Sequence, residues 1–305
     1  MIARGYLLRD PGASKLAQAK TPASWRTPHR RVPFHTPALF AGCIFAVATL
    51  AAAEDSEKPL DVTAAVKWTG VESFAPTDPL LYPESSSTVF LYRARLQLKY
   101  TFDAATTGEF AYEHRGQLAS SSGGLSAGAS VLPAMAKAPY RLAQLDWQLA
   151  NDDRIECRHE IDRASVTFDP SWGEITVGRQ AIGLGRGVMF SAVDVFAPFT
   201  PLEVDREWRR GVDAARVEYR FADTASAEVI GAGGRDWDHS AALARVRGYL
   251  GDVDGELILG KRARDFMAAT VVSATVGDAE MHGEFAVFDT PGDLPESGLF
   301  GGNEW

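Results

Sequence analysis

The stretch Val89–Phe102, VFLYRARLQLKYTF, decides the fold of this 305-residue chain. Phe90, Tyr92, Ala94, Leu96, Leu98, Tyr100 and Phe102 form one row, and Leu91, Arg93, Arg95, Gln97, Lys99 and Thr101 form the other. Successive side chains of a strand point to opposite faces, so this alternation predicts one long strand with an apolar face and a charged face. A short turn at 103–106 follows. The alternation then resumes over Thr107–Leu118, where Phe110, Tyr112 and Leu118 oppose Glu109, Glu113, Arg115 and Gln117. The two segments read as a hairpin.

The same period continues outward in both directions. Segments are predicted at 62–71, 141–149, 156–168, 174–182, 212–221, 225–232, 241–250, 255–261, 266–276 and 279–288, which with the first two make about twelve strands. No stretch after residue 53 carries a helical pattern. Strings of long alternating strands suit either a soluble β-sandwich or an outer-membrane barrel. Soluble strands average about five or six residues, whereas crossing a bilayer takes about 9 to 11 tilted ones. Short turns alternate with long connections at 119–138 and 183–208, and aromatic residues sit at both ends of the apolar row of 89–102. These features favour an all-β, antiparallel, up-and-down transmembrane β-barrel.

The N-terminus has a different character. Residues 1–37 are basic, with a single acid, Asp10, and prolines at 28, 33 and 37; an uncharged run, ALFAGCIFAVATLAAA, fills 38–53, and a polar start, Glu54-Asp55-Ser56-Glu57, follows. That order predicts a secretory signal peptide cut after Ala53, since sixteen residues fall short of the roughly 20 a membrane-spanning helix needs. Residues 54–305 then form the barrel, with 24 basic against 39 acidic residues, a formal charge of −15. Neither the acidic balance nor the scatter of the basic residues suits nucleic acid. Two cysteines, Cys43 and Cys157, are too few for a disulfide framework or a cysteine-based zinc site.

A resemblance rests on the central part of the chain. The runs His159-Glu160-Ile161-Asp162-Arg163, Trp172-Gly173-Glu174-Ile175-Thr176-Val177-Gly178-Arg179-Gln180-Ala181-Ile182, Asp194-Val195-Phe196-Ala197-Pro198 and Asp205-Arg206-Glu207 to Arg210-Gly211-Val212-Asp213 resemble a segment of porin-like outer-membrane proteins of Gram-negative bacteria. That family has a more distant similarity to alginate-export-type barrels. The resemblance covers about a fifth of the chain directly and implies a barrel in contact with outer-membrane lipid that passes a small solute. Family members run on for more strands, so the resemblance also implies that this chain is C-terminally truncated, its end at 289–305 being loop-like.

The candidate site lies in the same region. The connection after 174–182 carries Gly183, Gly185 and Gly187, and it is too long and too charged to be a simple turn. Its constriction candidates are Arg179, Arg186, Asp194, Glu203, Asp205, Arg206, Glu207, Arg209, Arg210 and Asp213. Folded into a barrel mouth they would set opposed charges across a pore; alternatively they pair with one another and pin the loop, and the two roles are compatible. Arg93, Arg95, Lys99, Glu109, Glu113 and Arg115 are the candidates for facing the lumen. Trp172, Trp208 and Trp237 lie near strand ends, as interfacial anchors or ordinary loop packing would.

Signs of an enzyme are poor. Gly183-Leu184-Gly185-Arg186-Gly187 lacks the third glycine of a nucleotide loop and no helix follows it. His159 and Glu160 would face opposite sides of a strand, so no metal site is expected, and no G-x-S-x-G elbow occurs. The expectation is a non-enzymatic channel without a cofactor. The alternative is a secreted or periplasmic all-β carbohydrate-binding or hydrolytic domain.

Overall fold

The twelve alternating segments are strands in the computed structural model, which describes residues 42–51 (as backbone), 59–74, 86–120, 138–187, 191–199 and 207–291. They are β2 (Leu60–Phe74), β3 (Ser86–Thr101), β4 (Thr106–Ala119), β5 (Asp146–Asp152), β6 (Ile155–Phe168), β7 (Gly173–Gln180), β8 (Val212–Ala222), β9 (Ala225–Ala232), β10 (Ala241–Leu250), β11 (Val253–Arg262), β12 (Asp265–Val276) and β13 (Ala279–Asp289). A further strand, β1 (Gly42–Ala51), falls in the uncharged run read above as a signal-peptide core, and it pairs antiparallel with β2. Among the described residues there is one 3-10 turn, Trp237–His239, and no α-helix.

All strands belong to one antiparallel sheet in the order β1-β2-β3-β4-β6-β7-β8-β9-β10-β11-β12-β13, with β5 beside β6 and off this path. Among the described pairings β13 bonds only to β12 and β1 only to β2, so the closure expected of a barrel is not among them. At one end the hairpins turn tightly: Gly251 (φ 61°) and Gly277 (φ 63°) supply the left-handed residue of two two-residue turns. At the other end the connections include 181–211, the longest whose residues are largely described.

Several expected boundaries moved by a few residues, the start of β5 the most. Strand β5 begins at Asp146 and not at Arg141. The backbone before it is taken up by side chains: the amides of Leu142 and Ala143 donate to Asp213 Oδ2 at 2.8 and 3.1 Å, and the Ala143 carbonyl accepts from Arg179 Nη2 at 2.5 Å. A backbone saturated by side chains cannot enter a ladder, whatever its alternation.

Burial along the strands is inverted relative to a soluble sheet. On β3 Arg93 and Arg95 are buried while Phe90 is 58% exposed; on β4 Glu113, Arg115 and Gln117 are buried while Phe110 and Leu118 are exposed. The pattern continues through β6–β11, where Glu160, Thr176, Glu218, Glu228 and Glu256 point inward and Val166, Val177, Val217, Val229 and Leu257 point out. An apolar core does exist, but it forms at the long-loop end: Ile182, Leu184, Val193, Val195 and Phe196 of the 181–211 connection pack on Ile230, Leu243, Ile258, Met267 and Val271 of β9–β12.

Candidate functional site

The inner face of β3, β4 and β6 is a continuous ion-pair network. Glu113 is fully buried and meets Arg93 at 2.9 Å, Arg95 at 3.2 Å and Arg115 at 3.3 Å. Asp162 meets Arg95 at 2.7 Å and Arg163 at 2.5 Å, and its Oδ1 accepts from the Gly211 amide at 2.9 Å. Glu160 takes Arg115 at 2.7 Å and Arg141 at 2.6 Å. Buried charges are tolerable only when paired and hydrogen-bonded in this way. A β-bulge makes the arrangement possible. The β4–β6 register jumps between Ala111↔Arg163 and Tyr112↔Ile161, so Asp162 is the extra residue, and Asp162 and Arg163, adjacent in sequence, are both buried.

The 207–211 end of the connection 181–211 lies against this face. Trp208 sits among three cations, with Lys67 Nζ 4.0 Å, the Arg93 guanidinium 5.0 Å and the Arg95 guanidinium 5.5 Å from its ring centre, and its carbonyl accepts from Arg93 at 3.2 Å. Lys67 on β2 also pairs with Glu207. Arg209 pairs with Asp194 within the loop, donates to the Ala197 carbonyl at 2.9 Å and lies 4.8 Å from the Phe199 ring; burial pulls its guanidinium pKa down. Tyr140, in the described segment ahead of β5, stacks edge-on to Phe196 at 5.7 Å, and burial raises its phenol to about 12.

A second bank of charges runs across the far strands. Arg216 on β8 links Glu174 on β7 to Glu228 on β9, Arg245 on β10 links Glu228 (2.6 Å) to Glu256 on β11 (3.4 Å), and Arg186 of the loop joins Glu256 at 2.9 Å and also Asp254. Burial alone would lower the Arg186 pKa, but its bonds to Asp254 and Glu256 more than offset that and raise it. Between the two banks lies a polar cavity of about 370 Å³ lined by Arg95, Glu109, Arg163, Glu174, Gln180, Trp208, Arg209 and Arg216 among others.

The expected site residues therefore divide. Arg179 and Asp213 pair with each other at 2.7 Å and fasten β7 to β8. Arg186, Asp194, Glu207 and Arg209 all hold the loop through ion pairs, and Arg210 is half-buried next to them. Glu203, Asp205 and Arg206 lie outside the described residues. Of the inner-face candidates Arg93, Arg95, Glu113 and Arg115 are buried in the network and Glu109 lines the cavity, whereas Lys99 is exposed near the turn end of β3. Trp208 is no strand-end anchor; Trp172 and Trp237 are exposed. Arg141, Arg216, Arg245 and Glu284 are not among the expected site residues; the rows Arg216-Glu218-Arg220 and Arg245-Arg247 carried a signal for two of them, whereas Arg141 shares its row with Ala143, Leu145 and Trp147.

Among the described residues no group of three or more His, Cys, Asp or Glu is placed to hold a metal ion. A comparison with protein-family models finds none that matches the chain, and a comparison with curated proteins finds no match.

Proposed function

We propose that the protein is a porin-like outer-membrane channel, exported behind a cleaved N-terminal segment, in which small solutes diffuse past the charged 181–211 loop. The observation that carries this reading is the inverted burial: a sheet whose polar row is buried and whose apolar row is exposed suits a solvent that is greasy outside and wet inside. Water would penalise that outer face at about 25 cal/mol per Å². The aromatic residues support it. Tyr100, Phe102, Phe168, Trp172, Tyr219, Phe221 and Tyr249 are exposed and gather at the short-turn end of β3, β6, β8 and β10, as a girdle at one bilayer interface would. In hydrocarbon an open sheet edge costs several kcal/mol per unpaired group, so this reading requires the sheet to close.

In this channel the cavity between the two charge banks is the polar path, and the loop narrows it by fixed opposed charges without any covalent step. Two measurements test the reading. Cell fractionation should recover the protein in the outer membrane with heat-modifiable gel mobility, and recovery as a soluble periplasmic protein overturns it. The exposed Val229, in mid-strand on β9, gives the second. Val229→Arg should destabilise by about 2–4 kcal/mol if the side chain faces lipid, against about 0.5 kcal/mol or less on a soluble surface.

A further inference from the structure

We propose that Glu284 is the positioning residue of the 181–211 loop, holding it against the β13 side and thereby setting the width and charge of the constriction; this rests on the channel reading above. Glu284 Oε1 accepts from the Arg186 amide at 2.5 Å and the Gly187 amide at 2.7 Å, while Oε2 accepts from the Ser191 hydroxyl at 2.7 Å and the Ala192 amide at 2.8 Å. Four donors spread over seven residues of loop converge on one carboxylate carried by a strand, and bonds to an ionised acceptor are about twice as strong as neutral ones. The Ser191 oxygen in turn accepts from the amides of Val193 (3.3 Å) and Asp194 (3.1 Å), which carries the hold into the segment that pairs with Arg209.

The backbone is shaped to this carboxylate. A Cβ on Gly185 would stand 1.6 Å from Ser191 Oγ and 2.9 Å from Glu284 Oε1, so no other residue fits there while the clamp is closed. Arg186 extends the grip to the two preceding strands through Asp254, Glu256 and the Ser273 hydroxyl at 3.0 Å. At its far end the loop is tied to β2 by Lys67–Glu207, but Glu207 is 58% exposed and an exposed pair holds weakly. Other bonds also hold the 207–211 end, from Arg93 to the Trp208 carbonyl and from the Gly211 amide to Asp162; the clamp on β13 decides where residues 186, 187, 191 and 192 stand.

The test uses the full-length protein reconstituted in planar bilayers under a KCl gradient. Glu284→Gln keeps the size of the side chain but turns an amide group toward loop donors, so at least one oxygen's bonds are lost. We expect a severalfold rise in single-channel conductance and a shift of reversal potential, with Glu284→Asp restoring both in part, a rescue that a merely structural role would not give. Wild-type channels with both variants unchanged overturn the clamp. A wild-type protein that conducts nothing overturns the channel reading and the clamp with it. Ser191→Ala leaves β13 intact and removes the hydroxyl's bond to Glu284 together with the two it accepts from the Val193 and Asp194 amides; a smaller shift in the same direction supports the proposal and no shift opposes it, even if Glu284→Gln fails to insert.

Discussion

The inner face is built differently on its two sides. On β3, β4 and β6 it is mostly charged beyond a small apolar cluster of Val89 and Leu91 with Val71 of β2, and Glu113 is fully buried among arginines; on β9–β12 at the long-loop end it carries Ile230, Leu243, Ile258, Met267 and Val271, with Ile258 as deeply buried as Glu113. The 181–211 loop touches both. Its Ile182, Leu184, Val193, Val195 and Phe196 sit on the apolar side, and its 207–211 end meets the charged side through Glu207, Trp208 and Gly211. Apolar contact is non-directional and stabilises in proportion to area, whereas a buried ion network adds little net stability but fixes geometry, because losing any partner leaves a charge stranded. The loop is thus seated by desolvation at one end and oriented by charge at the other.

That contrast can be broken from either side. The largest effect is expected for Asp162→Ala, which takes the carboxylate from Arg163 and leaves Arg95 only Glu113: about 3–5 kcal/mol of stability lost, read from the denaturant midpoint of unfolding. A loss below about 1 kcal/mol, the size of an exposed pair, would mean that water already screens the network. Phe196→Ala, on the apolar side, should cost about 3 kcal/mol in the same titration, because its pocket is closed by Tyr140 and cannot collapse fully. Ile258→Val removes one buried methylene and should cost about 1 kcal/mol. The smallest change is expected for Lys67→Met. Its pair with the exposed Glu207 should contribute no more than about 1 kcal/mol, and the difference from wild type should shrink further as salt is raised.

Much of the sheet was legible in sequence because period-2 alternation specifies strands directly, and each of the twelve segments became one. Alternation alone does not say which row is buried, since Arg93 or Phe90 could equally face in; only strand length and aromatic ends favoured the charged row. The bulge at Asp162 had no local signal, with no glycine or proline there, and it overrides strict alternation by burying Arg163 as well. The loop could be read as long and charged, but its seating could not, because Val193, Val195 and Phe196 find their partners on strands 30 to 80 residues away. Glu284 was hidden for the same reason: nothing in AEMHGEFAVFD announces that loop amides almost a hundred residues earlier will converge on it.

Ten antiparallel steps separate β2 from β13, so those two strands run in the same direction. They cannot meet across an antiparallel seam; an odd number of strands has to stand between them. Among the described residues strand β1, antiparallel to β2, makes the path twelve strands long, an even number, as bacterial single-chain barrels have. Cleavage after Ala53 would take β1 away and leave eleven described strands on the path, so that closing them by antiparallel pairs alone would need an odd number of further strands. Under the proposed export, the parity of the described path thereby depends on the ten residues of β1.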